Sequence, residues 1–201
     1  MGGLAESMLG HAVEVVEKLK SDDVAPIFEA EQELDRMQIE IDQQAIRILT
    51  EFHPVGNDLR LILSVCRITS ELERIGDHAT NICESLQLMA SQTLPAPNAN
   101  ISKMGGLVVS AVRKALMAFR KRNVEEAREA IASDDMIDAL NDMVTQELLL
   151  SKVTDDQKTL AGALSQILIA SSLERIADQA TNIGEEVVYM VEGTDIRHTN
   201  G

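Results

Sequence analysis

The chain has 201 residues, 45% of them apolar, which is enough for two small cores of about 100 residues each. Aromatic residues make up 2%, with three Phe, one Tyr and no Trp, so the core must be built from Leu, Ile, Val, Met and Ala, a mixture typical of packed helices. The formal net charge of −15 excludes nucleic acid as a partner and repels free phosphate unless a cation or a local Lys/Arg cluster intervenes.

Helical periodicity dominates from the start. A first amphipathic segment runs from Leu4 to Lys20, and a second from Pro26 to Glu51, with Asp22 or Asp23 expected to cap it. Between Val55 and Ser91 one continuous stripe (Leu61, Val65, Ile68, Leu72, Ile75, Ala79, Ile82, Leu86) predicts a single helix of about ten turns. The breaker cluster Thr93 to Asn100 marks a boundary, dividing the chain into units 1–94 and 95–201. Three further segments follow: Ser102 to Arg122, Val124 to Leu150 with Asn123 as its cap, and a long stripe from Leu160 ending near Gly193. No strand pattern is present. The expected fold is all-α, with six helices in two tandem antiparallel three-helix bundles.

The boundary agrees with an internal repeat. Residues 73–84, Glu-Arg-Ile-Gly-Asp-His-Ala-Thr-Asn-Ile-Cys-Glu, recur at 174–185 as Glu-Arg-Ile-Ala-Asp-Gln-Ala-Thr-Asn-Ile-Gly-Glu, identical at nine of 12 positions and offset by 101. A duplicated core accounts for the shared isoleucines. It does not account for the shared Glu, Asp, Asn and Glu. At about 100° per residue, Glu73, Asp77 and Glu84 fall on one narrow face displaced from the apolar stripe, as do Glu174, Asp178 and Glu185.

The middle helix of each half carries a similar pair: Glu31 with Asp35, and Asp134 with Asp138. Like charges at i and i+4 repel by a few tenths of a kcal/mol. Four such pairs in matched places point to cations, with an adjacent helix completing each set of oxygen ligands. Such sets suit Mg, Ca, Mn or ferric iron, with zinc compatible. The alternative is a solvated acidic face in which Arg74 and Arg175 pair with their neighbours. His78 is Gln179 in the second copy, so no shared ligand role is expected of it, and His11, His53 and His198 lie near ends or turns.

Cys66 and Cys83 lie 17 apart on one predicted helix, about 25 Å, which precludes a disulfide and suits free thiols in a reducing compartment. No run of 18 apolar residues predicts a membrane span, and no basic stretch followed by an apolar core predicts secretion, so a cytoplasmic location is expected. No Glu-x-x-His pair, nucleophile set or Gly-rich phosphate loop is present, which points away from an enzyme.

The doubled Glu-Arg-Ile-x-Asp segments, followed by Asn81-Ile82 and Asn182-Ile183, resemble the signature of the PhoU family of bacterial regulators of phosphate uptake. His53-Pro54 with Asp58-Leu59-Arg60 resembles its inter-helix turn. Tyr189-Met190-Val191-Glu192-Gly193 with Asp195-Ile196-Arg197-His198 resembles its C-terminus. The resemblance covers almost the whole chain. It implies two three-helix bundles related by a pseudo-twofold axis and multinuclear iron or zinc held by Glu31, Asp35, Glu73 and Asp77 and by Asp134, Asp138, Glu174 and Asp178. It also implies a homodimer that restrains the phosphate ABC transporter through its ATPase subunit and keeps a sensor histidine kinase repressing. Two departures stand out: members usually begin upstream of the position of Met1, which implies either a shortened first bundle or a trimmed chain, and Ala177 replaces the usual Gly. Other readings are a carboxylate-bridged metal store and an accessory module of another ion transporter.

Overall fold

The structure, a computed structural model, describes residues 1–90, 98–150 and 157–197. The boundary drawn at residue 94 and His198 lie outside the described residues. The elements are α1 (Gly2–Lys18), α2 (Ala25–Phe52), α3 (Asn57–Ala90), α4 (Ala99–Lys121), α5 (Val124–Ile131), α6 (Asp134–Leu150) and α7 (Gln157–Glu192), with no strand among the described residues.

Six helices were expected, and the fifth is interrupted. Helix α5 ends at Ala132 and Ser133, where the Ser133 hydroxyl donates to the Ala130 carbonyl at 2.5 Å before α6 begins. A hydroxyl that bonds the local backbone competes with the helical ladder. The two segments still fill the place of one helix, so each half is a three-helix bundle. Asn123 caps α5 as expected, its Oδ1 accepting from the amides of Glu125 and Glu126 at 2.9 and 3.3 Å. The expectation for α2 fails: its N-cap is Val24 with no side-chain bond, and Pro26 sits in the opening turn instead of Asp22 or Asp23 supplying a cap. The matched C-caps Leu19 and Arg122 are both left-handed, at φ 50° and 53°. The amides of the residues after them reach back to Val15 and Ala118, so the duplication extends to how helices end.

Helices α3 and α7 pair along the middle of the molecule. Helices α1 and α2 pack on α3, α4 to α6 pack on α7, and α1 also packs on α4. One continuous core results, containing Ile75 and Ile82 from α3, Ile176 and Ile183 from α7, and residues of α1 and α4. Polar ties cross between the halves: Arg113 to Glu6 at 2.6 Å, Asn182 to Glu71 at 3.3 Å and Arg67 to Glu186 at 3.0 Å. Where four helices meet, the remaining void is only about 10 Å³, lined by Val13, Val16, Ile82, Ile101, Leu173 and their neighbours. That is about the space of one water.

The positions at which the repeats differ are packing positions. A Cβ on Gly76 would lie 2.4 Å from Leu34 Cδ2, so α2 seats this leucine directly on α3. In the second half Ala177 is itself buried. A Cβ on Gly184 would meet the Ala127 carbonyl oxygen at 3.1 Å, since α5 lies close where Cys83 has room in the first half.

Because one core spans both halves, the chain should unfold in a single transition. Ile75→Ala and Ile176→Ala should each lower its stability by roughly 2–5 kcal/mol in urea titrations followed by circular dichroism. Two resolved transitions, each moved by only one variant, would contradict a shared core.

Candidate functional site

The eight candidate acids form two quartets, one per half. Helix α2 runs antiparallel to α3, which sets Glu31 beside Asp77 and Asp35 beside Glu73 and Asp77. Burial raises the Glu31 carboxyl, with Asp35 and Asp77 adding to it. Burial also raises Glu73, followed by Asp77 and Asp35, while Arg74 opposes. Asp77 is raised by burial and then Asp35, with His78 opposing. These are the signs of like charges sharing a partly desolvated groove.

The second quartet repeats this between α6 and α7. Asp134 is pushed up to about 6 by burial, then by Asp138, Asp178, Asp135 and Glu174. It does so while opening α6, where the helix dipole favours a carboxylate, so burial and repulsion outweigh the dipole. Glu174 is raised by burial, Asp178 and Asp138, with Arg175 opposing, and Asp178 by burial and Asp138. Glu31, Asp35, Glu73, Asp134, Glu174 and Asp178 are partly buried, whereas Asp77 and Asp138 are exposed.

The alternative in which Arg74 and Arg175 neutralise these acids is not what forms. Neither arginine makes an ion pair among the described residues. The acids do not stand as a closed cage either. Among the described residues no three His, Cys, Asp or Glu side chains come close enough to hold one metal ion. Convergence is therefore at the level of the groove, with donor atoms still apart.

The second groove shows the clearer sign of a missing positive partner. Among the described residues Asp134 Oδ1 is buried with no hydrogen bond, as is Thr181 Oγ1. Asp134 and Thr181 line one open cleft with Arg128, Ile131, Ala132 and Ile196. An unsatisfied buried carboxylate oxygen costs more than a paired one, and a hard cation satisfies it. The oxygen donors suit such a cation, and the first groove has the same acids without a stranded carboxylate oxygen.

The other shared polar positions do different work. Asn182 ties the halves through Glu71. His78 faces the seam with its Nδ1 unpaired and its imidazole pushed down by burial and then Arg175. Both cysteines are free thiols, and burial pushes Cys83 up to about 12.

One polar cluster was not foreseen from the sequence. Glu186 is only 3% exposed, and its Oε1 accepts from both Arg67 and Arg197 at 3.0 Å. The signal was present as an acid on the apolar stripe between Ile183 and Val187.

Comparison with known proteins decides the family. The model of the PhoU domain matches residues 1–86 and again 101–187. The chain belongs to the PhoU family. It is 35% identical over 199 residues to a phosphate-specific transport system accessory protein PhoU homolog of Pseudomonas putida, covering 98% of this chain and 77% of that one. The accessory protein PhoU of Escherichia coli is 29% identical over 201 residues, covering 100% and 83%. The crystal structure of PhoU from Pseudomonas aeruginosa superposes with a TM-score of 0.91 at 31% identity, covering 96% of this chain and 93% of that one. That of the phosphate transport system regulatory protein PhoU from Streptococcus pneumoniae gives 0.87 at 25% identity, covering 97% and 91%. The fold of two PhoU bundles is thereby the family fold.

The raised carboxyls carry a sign. A carboxyl that holds its proton more tightly when folded opposes folding while ionised, and this opposition fades as pH falls through about 6 toward 3.8 for Asp134. In chelator, the melting temperature should therefore rise as pH falls through this window. Asp134→Asn should raise it at neutral pH by about 2–4 °C and flatten the pH profile, the size tempered by the solvent on one side of the group. An unchanged profile in the variant would remove Asp134 as the titrating group.

Proposed function

We propose that the protein is a non-catalytic negative regulator of phosphate uptake and of phosphate-starvation signalling in the cytoplasm. It docks on the ATPase subunit of a phosphate ABC transporter and on a sensor histidine kinase. The observation that carries this reading is the likeness, over nearly its whole length, to accessory proteins of phosphate-specific transport. The net charge of −15 supports docking on basic partner surfaces, through contacts that salt weakens.

Cations on the two acidic grooves complete the reading. Glu31, Asp35, Glu73 and Asp77 would hold one set, and Asp134, Asp138, Glu174 and Asp178 the other. Iron or zinc follows from the family, and Mg, Mn or Ca suit the oxygen donors equally. The cation would neutralise carboxylates that now repel one another, turning each groove from a solvated acidic face into a fixed docking surface. The stranded Asp134 Oδ1 supports this most directly. A storage role is disfavoured, because the acids lie on open faces and do not line an enclosed interior. The phosphate-specific transport role of the relatives favours phosphate over another transported ion.

Helix α7 bears on the location. An 18-residue window of Leu160–Glu192 reaches a mean hydropathy of 1.2, long and apolar enough to cross a membrane, but half of that window is buried inside the fold. The helix also carries Glu174 and Asp178, which supports a core helix. A homodimer is supported by the unpartnered apolar residues of distal α2: Ile39, Ile46 and Phe52, the last 72% exposed.

Deleting the gene should raise expression of phosphate-starvation genes in phosphate-rich medium, and unchanged expression would remove the regulatory reading. Protein purified without chelator should contain metal by elemental analysis, reduced by about half in Glu73→Ala/Asp77→Ala if the two grooves load alike. Equal metal in both proteins would clear that pair of a ligand role.

A further inference from the structure

Three guanidinium groups gather around one ring at the seam of the two bundles. The guanidinium carbons of Arg60, Arg67 and Arg197 lie 5.8, 5.6 and 5.9 Å from the centre of the Tyr189 ring. Arg60 and Arg67 lie about two turns apart on one face of α3, Tyr189 comes from the end of α7, and Arg197 from the tail that follows Gly193. In a chain of 33 acidic and 18 basic side chains, such a gathering wants a cause.

Part of the cause is internal. Arg67 and Arg197 share Glu186 Oε1, and Arg197 also pairs with Asp195 at 2.5 Å. Glu185 lies near enough to favour the charged form of Arg197. Arg60 has no carboxylate within ion-pair distance among the described residues. It lies over the backbone of Gly193, where a Cβ would meet its Nη1 at 2.3 Å. That glycine stands at φ 76°, in the left-handed region, so the tail turns there with the guanidinium directly above it.

Two groups in the cluster are therefore incompletely paired. Among the described residues the five donors of Arg60 have no acid, and Glu186 Oε2 is buried with no hydrogen-bond partner. The first wants an anionic oxygen. The second wants a donor. A metal ion would satisfy the second and be repelled by three arginines. A fully deprotonated oxyanion such as sulfate would satisfy the first and bring no proton to the second. One small ion does both, an oxyanion that keeps a hydroxyl.

We propose that Arg60, Arg67, Arg197, Tyr189 and Glu186 form a binding site for inorganic phosphate in its protonated forms. The guanidiniums take the charged oxygens through charge-assisted bonds, and Glu186 Oε2 accepts the P–OH proton and so rejects sulfate. Tyr189 fixes the arginines by stacking and offers its hydroxyl. The site gathers three guanidiniums, with Arg60 lacking a carboxylate partner among the described residues, in a chain whose overall charge repels phosphate. It stands on this chain's side chains and does not depend on the regulatory reading.

Tyr189 is the only tyrosine in a chain without tryptophan, so intrinsic tyrosine emission reports on this site alone. The full chain, in chelator and at constant ionic strength, is titrated with potassium phosphate and in parallel with potassium sulfate. Phosphate should change the emission saturably and sulfate should not. Arg60→Gln should weaken the phosphate midpoint about tenfold, and Arg60→Lys, which keeps the charge but loses the fork, should fall between. Circular dichroism confirms that each variant is folded, and Arg60→Lys carries the test if Arg60→Gln is not. A flat phosphate titration, an equal response to sulfate, or midpoints unmoved in the folded variants would each overturn the assignment. A failure here would leave the response of phosphate-starvation genes to deletion untouched, so the two readings fail separately.

Discussion

The packing of α3 against α7 is the contact that positions everything else. Both helices are long, 34 and 36 residues, and each has an apolar stripe that must meet a partner. Setting Ile75 and Ile82 in one core with Ile176 and Ile183 leaves all four with no exposure. Full burial of such side chains contributes about 1.5–3 kcal/mol each. The like-charge pairs beside them cost only a few tenths each. The core therefore wins, and the acids are carried to wherever the stripe leaves them, facing α2 in one half and α6 in the other. The acidic grooves exist because of the seam and not in spite of it.

Much of this was legible because it repeats. Helix periodicity placed the long helices, and the 101-residue offset placed the halves. The acid pairs, read as i and i+4 faces, border common grooves across α2–α3 and α6–α7, where Asp35 helps to raise Glu73 and Asp138 helps to raise Glu174, with the donor atoms still apart. What the repeat could not convey is where the copies depart. Gly76 and Ala177, and Cys83 and Gly184, differ because Leu34 and α5 approach the two long helices differently. A wheel contains no neighbours, so it cannot register them. The same limit hid the break at Ala132 and Ser133, which one hydroxyl–carbonyl bond settles. It also overstated Asp22 and Asp23 as caps, since a capping side chain helps only where the backbone turns in on it.

The arginine cluster was illegible for another reason. Arg60 and Arg67 are separated from Glu186 and Tyr189 by more than 100 positions, and no periodicity links them. Only the single local anomaly, an acid on an apolar stripe, pointed toward it. A buried carboxylate is tolerable when paired, and Glu186 is paired twice on one oxygen. Arg60, in the first turn of α3, and Arg197, in the C-terminal segment, belong to separate pieces of one resemblance. In the fold they converge on the same ring.

The net charge of −15 is thus divided, not spread. The two acid quartets lie between α2 and α3 and between α6 and α7, and three guanidiniums gather at Tyr189 on the seam. In the second half the two regions are separated by very little chain. Ile196 lines the cleft that holds Asp134 and Thr181, while Arg197, the next residue, grips Glu186. Fields of opposite sign this close would cancel in open solvent within about one Debye length. They persist here because α7 stands between them, its acid face turned to α6 and its Tyr189 and Glu186 turned to α3. The tail joins the two environments through a single peptide bond. Where Asp195, Ile196 and Arg197 settle is therefore set by both.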